Sequence, residues 1–164
     1  MILAGLALVA DGLDRPPQPA PGRARVSDGD SFHLGADRIR LLGLDAPEMN
    51  QYCTTADGRD WPCGRQARDR MAALLAAGPA ACHAEDVDQY QRLLATCRVG
   101  DDDLGAIMVG EGLAIASGRY RAEEAAAREQ GLGIWSGDFD APRQWRDDHP
   151  RPQGLGGWLA AWGF

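Results

Sequence analysis

The sequence predicts an α+β domain, a five-stranded and partly closed Greek-key β-barrel with three helices packed outside it. Two observations carry this expectation. Residues 23–43 alternate apolar and polar types over short stretches broken by Asp28-Gly29-Asp30 and Gly35-Ala36-Asp37, the pattern of strands joined by tight turns. Gly64 to Ala77 instead carries apolar residues at helical spacing, and Gly78-Pro79 closes the run.

The chain has 164 residues, enough for one ordinary domain and too few for two separate cores. With 45% hydrophobic and 25% charged residues it is neither collagen-like, disordered nor a multi-span membrane protein. A formal net charge of -7 argues against a protein that coats nucleic acid electrostatically, so an anionic substrate would be gripped locally. All 17 basic residues are arginine, each a planar fork able to hold a carboxylate or phosphate with two hydrogen bonds. Genomic base composition accounts for the missing lysine at least as well.

Taken in order, the elements begin after an N-terminal region, residues 1–22. Met1 to Ala10 is almost wholly apolar, and Arg15 to Gly22 is a proline-rich tether. The apolar run is too short to span a bilayer and lacks a basic leader. It reads as a signal or anchor remnant, a candidate for membrane attachment, or else as a frayed terminus.

The domain is expected over residues 23–146. Three strands, Ala24 to Ser27, Ser31 to Leu34 and Arg38 to Leu42, form a meander. In the third, Ile39 and Leu41 point to one face while Arg38 and Arg40 point to the other, which leaves that face open for chemistry. Met49 to Pro62 is rich in turn formers and is expected to be a loop. Gly64 to Ala77 is the first helix, with Ala67, Met71, Leu74 and Leu75 on one face and Gly78-Pro79 as its stop; Arg65, Arg68 and Arg70 are read as its solvated side. Ala80 to Glu85 and Leu93 to Val99 form a strand pair, in which Asp86 and Asp88 serve the turn, as Asp37 does earlier. Asp101 to Asp103 cap a second helix ending near Gly110, and Arg121 to Gln130 is a third, closed by Gly131. Residues 147–164 are a tail; just before it, Trp145 is expected to dock on the domain. The sum is a barrel of the oligonucleotide-binding (OB) type.

Cys53, Cys63, Cys82 and Cys97 form an even set without a C-x-x-C pair, which disfavours a zinc ribbon. Cys82 and Cys97 flank the turn near Gln89 and Tyr90, so a hairpin there would join them, leaving Cys53 and Cys63 to close a loop. The alternative is four reduced thiols in a cytosolic core. His33 and His83 have no partner at ligand spacing and are read as ordinary strand side chains.

The chemistry is carried by a constellation. Asp30 ends one turn and Asp45 follows the third strand, so both carboxylates can reach one rim of the sheet. Oxygen ligands of this kind suit Ca²⁺ or Mg²⁺, or another hard divalent cation, over zinc or copper. Pro47 fixes the backbone beyond Ala46, whose carbonyl is a further ligand candidate, and aims Glu48 back. With Arg40 on the polar face, this is an inventory for phosphodiester hydrolysis.

Val26-Ser27-Asp28-Gly29-Asp30-Ser31-Phe32, Arg40 to Glu48, Tyr90-Gln91-Arg92, Glu111-Gly112-Leu113-Ala114 and Gly131-Leu132-Gly133-Ile134-Trp135 resemble, in order and spacing, the staphylococcal nuclease-like or thermonuclease family. Asp57 to Gly64, with the paired cysteines, is similar to its exported bacterial branch. The resemblance implies an OB-type five-stranded barrel with three helices and Ca²⁺-dependent cleavage of DNA and RNA that leaves a 3′-phosphate. It implies that Asp30, Asp45 and the Ala46 carbonyl bind Ca²⁺ and that Glu48 acts on the attacking water as general base or by positioning it. Arg40 and Arg92 would clamp the phosphate, and Tyr120 would lie against the nucleotide. Gln91 stands where the family commonly has glycine. The expected protein is thus a monomeric, sugar-nonspecific endonuclease that is periplasmic, secreted or anchored outside the cytoplasm. The rival reading is a catalytically silent barrel that binds nucleic acid or a protein. A role in envelope polysaccharide metabolism finds no paired-carboxylate geometry for glycoside chemistry in the sequence.

Overall fold

The computed structural model describes residues 16–150. The apolar run, Trp158 and Trp162 lie outside the described residues.

Chain order begins with strands β1 (Ala24–Val26), β2 (Ser31–Leu34), β3 (Asp37–Leu41), β4 (Leu44–Asp45), β5 (Cys53–Thr55) and β6 (Asp60–Trp61). Helix α1 (Cys63–Ala76) precedes β7 (Ala80–Val87), β8 (Leu93–Val99), β9 (Asp102–Asp103) and helix α2 (Leu104–Gly110). Then follow β10 (Ile115–Ala116), α3 (Arg121–Glu129), a 3₁₀ turn at Gly133–Ser136, β11 (Gly137–Asp138) and α4 (Pro142–Asp148).

The main sheet is mixed, in the order β1-β2-β3-β8-β7, with β9 beside β8. β1, β2 and β3 are the expected antiparallel meander, and β3 runs parallel to β8. The path is open, with β1 and β7 at its two ends, so hydrogen bonding does not complete the barrel. Register decides the face. Ser31 lies opposite Arg40, while Phe32 pairs with Ile39, and both of these apolar side chains are buried. Met71 of α1 and Leu104 and Met108 of α2 close the core beneath that sheet. Asp103 caps α2 as expected, its side chain accepting from the Ala106 N–H at 3.0 Å.

Cys82 and Cys97 sit directly across the β7–β8 ladder and are disulfide-bonded, as are Cys53 and Cys63. The second bridge anchors a smaller core with Ile134, against which Trp61, Trp135 and Phe139 pack.

Three expectations are corrected. The Met49 to Pro62 loop contains β5 and β6, because β5 finds its other partner in β11, more than 80 residues along the chain. There are four α-helices among the described residues; α4 starts with Pro142 in its first turn and lacks an apolar repeat, so tertiary contacts hold it. Arg70 is more than a solvated charge, since its guanidinium pairs in two places with Glu111 and ties α1 to the end of α2.

Candidate active site

The β1–β2 turn builds the first acid. The N–H groups of Ser27 and Asp28 both donate to the Ser31 carbonyl, and the Asp28 carboxylate accepts from the Asp30 N–H at 3.2 Å. This tight turn points the Asp30 side chain inward, where it is 3% exposed. One Asp30 oxygen accepts from Ser31 Oγ and from Arg40 Nη1, both at 2.8 Å, and the other accepts from the Ala46 N–H at 3.2 Å. Burial pushes the Asp30 carboxyl up to about 7, and the Arg40 guanidinium works against that rise.

Arg40 projects from β3 and joins the two expected metal acids. Its Nη2 donates to Asp45 Oδ1 at 2.9 Å, so Asp30 and Asp45 share one guanidinium. Burial pulls the Arg40 pKa down, but these two carboxylates more than restore it. β4, paired with β10, presents Asp45 beside that fork.

Glu48 follows in a turn whose shape is fixed from three sides. Gln51, fully buried, accepts from the Glu48 N–H through Oε1 at 3.1 Å, donates its own N–H to the Glu48 carbonyl at 2.7 Å, and donates through Nε2 to the Asp140 carbonyl at 2.7 Å. Gly64, at the start of α1, packs so closely that an added Cβ would lie 1.7 Å from the Glu48 carbonyl oxygen. The Cys53–Cys63 bridge closes the same loop.

Sequence reasoning missed Arg146. From α4 it donates to both Asp45 oxygens, at 3.1 and 2.9 Å, and to Glu48 Oε1 at 2.9 Å. Hydrogen bonding to Asp45 leads the forces that raise its pKa. Three carboxylates are thus held by two guanidiniums. The signal available in the sequence was an arginine adjacent to the tryptophan expected to dock, with no spacing rule linking it to residues about a hundred positions earlier.

Arg92 approaches from the start of β8. Asp88 positions it: one Asp88 oxygen accepts from the Tyr90 and Arg92 N–H groups, each at 2.9 Å, and the other accepts from Arg92 Nε at 2.7 Å. Burial raises the Asp88 pKa, and these hydrogen bonds outweigh it, holding the carboxyl below the usual range. Asp88 is therefore a turn residue, as expected, and also the orienting partner of Arg92. Arg92 Nη1 lies 3.5 Å from Ser31 Oγ, on the Asp30 side of the site. Gln91 takes a left-handed φ of 61°, so the chain keeps the turn that glycine usually makes.

A cleft of about 960 Å³ is lined by Arg40, Glu48, Arg92 and Arg146 together with His33, Tyr90, Trp145 and His149. Arg40, Glu48, Arg92, Asp30, Asp45 and Ala46 come together as the sequence suggested. Tyr120 does not line this cleft; its hydroxyl donates to Asp103 at 3.1 Å, and burial with that neighbouring charge pushes its pKa up to about 12. His83 is exposed on β7.

Among the described residues no three His, Cys, Asp or Glu side chains gather as a metal cluster. The donor set nevertheless fits a hard cation that retains water ligands: two oxygen-donor carboxylates, Asp30 and Asp45, brought together on one guanidinium. Soft metals find no thiolate here, since all four cysteines are in disulfides.

Residues 38–137 match the family model described as staphylococcal nuclease homologue. The chain belongs to the staphylococcal nuclease-like family. It is 31% identical over 141 residues to the "Succinoglycan biosynthesis protein ExoI" of Rhizobium meliloti, covering 82% of this chain and 73% of that protein. It is 26% identical over 145 residues to the "Probable endonuclease lcl3" of Botryotinia fuckeliana, covering 77% of this chain and 54% of that one. The "Probable endonuclease LCL3" of Verticillium alfalfae is 29% identical over 128 residues, covering 66% and 43%. The chain thus spans about half the length of these fungal relatives. The family and the names of the fungal relatives support a nuclease-type function.

Proposed function

We propose that this protein is a divalent-cation-dependent, sugar-nonspecific endonuclease that hydrolyses phosphodiester bonds of DNA and RNA. The observation that carries the proposal is the Asp30–Arg40–Asp45 bridge with Glu48 joined to it through Arg146. Asp30, Asp45 and the carbonyl of Ala46 would hold Ca²⁺. Once bound, the ion supplies positive charge next to a scissile phosphate whose transition state gathers negative charge.

The chain's own groups do the rest. Arg40 and Arg92 offer planar forks to the non-bridging phosphate oxygens, and opposite charge fixed in advance where charge develops is worth ~10²–10³ in rate per donor. Glu48, its turn pinned by Gln51 and Gly64, takes the proton of the attacking water or positions that water. The P–O bond to the 5′ oxygen breaks, leaving a 3′-phosphate and a 5′-hydroxyl. Asp88 keeps Arg92 aimed between turnovers. Five of the six strands of the mixed sheet, β1, β2, β3, β8 and β7, would serve as an OB-type scaffold.

Two disulfides favour an oxidising compartment, and we infer a protein that works in the periplasm or outside the cell. Among the described residues no helix is long and apolar enough to cross a membrane. The name of the Rhizobium meliloti relative refers to succinoglycan biosynthesis.

Digestion of plasmid and single-stranded DNA with Ca²⁺ or chelator, beside a Glu48→Gln protein, tests this. Cleavage only by wild type with Ca²⁺ is expected. Equal digestion in all lanes, or none in any, overturns it; binding without cleavage would favour the silent module.

A further inference from the structure

The expected nucleotide-facing residue, Tyr120, is committed elsewhere. Its ring lies against Gly105 so closely that a Cβ there would fall 2.6 Å from it, and its hydroxyl is bonded to Asp103. The cleft beside the acids is not short of aromatic surface, however, because α4 supplies it. Trp145 is half-buried and stacks on His149 one helical turn later, with centroids 4.4 Å apart and planes 14° from parallel. The His149 ring nitrogen Nδ1 is 2.9 Å from the Trp145 carbonyl, which fixes the stack.

The placement of this pair is built, too. Pro142, fully buried, seats the start of α4, Gln51 binds the Asp140 carbonyl just before it, and Arg146 locks the helix onto Asp45 and Glu48. The residue before Arg146 is therefore held at the rim of the acids. From the β7–β8 turn, Tyr90 lines the same cleft at 61% exposure, with the Arg92 guanidinium 5.6 Å from its ring centroid. Aromatic faces and guanidiniums thus line one cleft, the combination that grips an unstacked strand through base planes and phosphates together.

We propose that α4 forms a nucleobase subsite, with Trp145 on its His149 support stacking on a base of a single-stranded nucleic acid whose phosphates lie at Arg40, Arg92 and Arg146. The subsite rests on the nuclease reading and names its substrate as unstacked strand, DNA or RNA, with little sequence preference. Because the contact is to the base plane, it is sensed only by substrates that carry bases.

The test is fluorescence anisotropy in Ca²⁺ in a Glu48→Gln background, with labelled oligothymidylate and an equally long abasic oligomer. Trp145→Ala should weaken oligothymidylate binding by roughly 5- to 100-fold and leave the abasic strand within twofold. Trp145→Phe, which keeps a ring face, should restore most of the affinity, and Tyr120→Phe should bind as the background does. Melting curves establish that each variant is folded. If Trp145→Ala leaves both affinities alone, or lowers both equally, the subsite is refuted while a cleaving wild type still upholds the nuclease reading. A background protein that binds neither strand, with a wild type that does not cleave, overturns both.

Discussion

Replacing Arg146 by methionine keeps most of the aliphatic stem and removes the charge that α4 brings to the acids. In wild type that charge makes three contacts of 2.9 to 3.1 Å, two with Asp45 and one with Glu48. Asp45 is 8% exposed, so losing a partner there resembles breaking a buried ion pair, which costs about 3–5 kcal/mol. The Arg146 side chain is itself 36% exposed and partly screened by solvent, as for surface pairs worth ~0–1 kcal/mol. Asp45 also retains Arg40 at 2.9 Å. The expected cost is between those limits, about 1–3 kcal/mol, or a Tm lowered by roughly 3–10 °C in a domain of this size. Thermal unfolding followed by circular dichroism in chelator measures it. Added Ca²⁺ should stabilise Arg146→Met more than wild type, because the ion then competes with one guanidinium for Asp45, that of Arg40, and no longer with two. A variant that melts within 1 °C of wild type in chelator, or that gains no more from Ca²⁺, would show that Arg146 neither braces Asp45 nor competes with the ion for it.

Other predictions follow from single contacts. Gln91→Gly should relieve a left-handed backbone that costs a side chain ~1–2 kcal/mol, raising stability in urea titrations with activity retained, whereas Gln91→Val should lower it. Asp30 titrates at about 7 in the folded protein against 3.8 in the unfolded chain, so the native state holds the extra proton between those values. Stability in chelator should therefore fall as pH rises from 4 to 7, and Asp30→Asn should flatten that slope in urea unfolding curves. Gly64→Ala places a Cβ 1.7 Å from the Glu48 carbonyl oxygen and should cost cleavage at least tenfold even where circular dichroism shows a folded protein. Reducing the Cys53–Cys63 bridge, which spans 10 positions, removes about 3 kcal/mol by loop entropy and should lower activity with it, read by cleavage after thiol treatment.

Much of the site was legible because its signals are local. The Asp28-Gly29-Asp30 turn, alternation in β3 and the proline after Ala46 each act within a few residues, and together they place Asp30, Arg40, Asp45 and Glu48. The β7–β8 cysteines were readable because a hairpin makes its register predictable. What stayed hidden depends on distant contacts. β5 needs β11 to be a strand, and α4 lacks an apolar repeat and is held by the buried Pro142 and the ion pairs of Arg146. Tyr120 kept its place in the sequence order, but its hydroxyl was captured by the capping acid of α2, which no spacing rule reveals.

In the proposed site Asp30 and Asp45 serve one divalent ion while the guanidiniums around them take a phosphate. Cleavage rates of single-stranded DNA across a Ca²⁺ titration, for wild type, Asp45→Asn and Arg40→Lys, test it most directly. Wild type should show a saturable dependence on Ca²⁺, with both variants slowed at least a hundredfold at saturating ion. Rates within tenfold of wild type for both variants, or a wild-type rate indifferent to chelator, would contradict it.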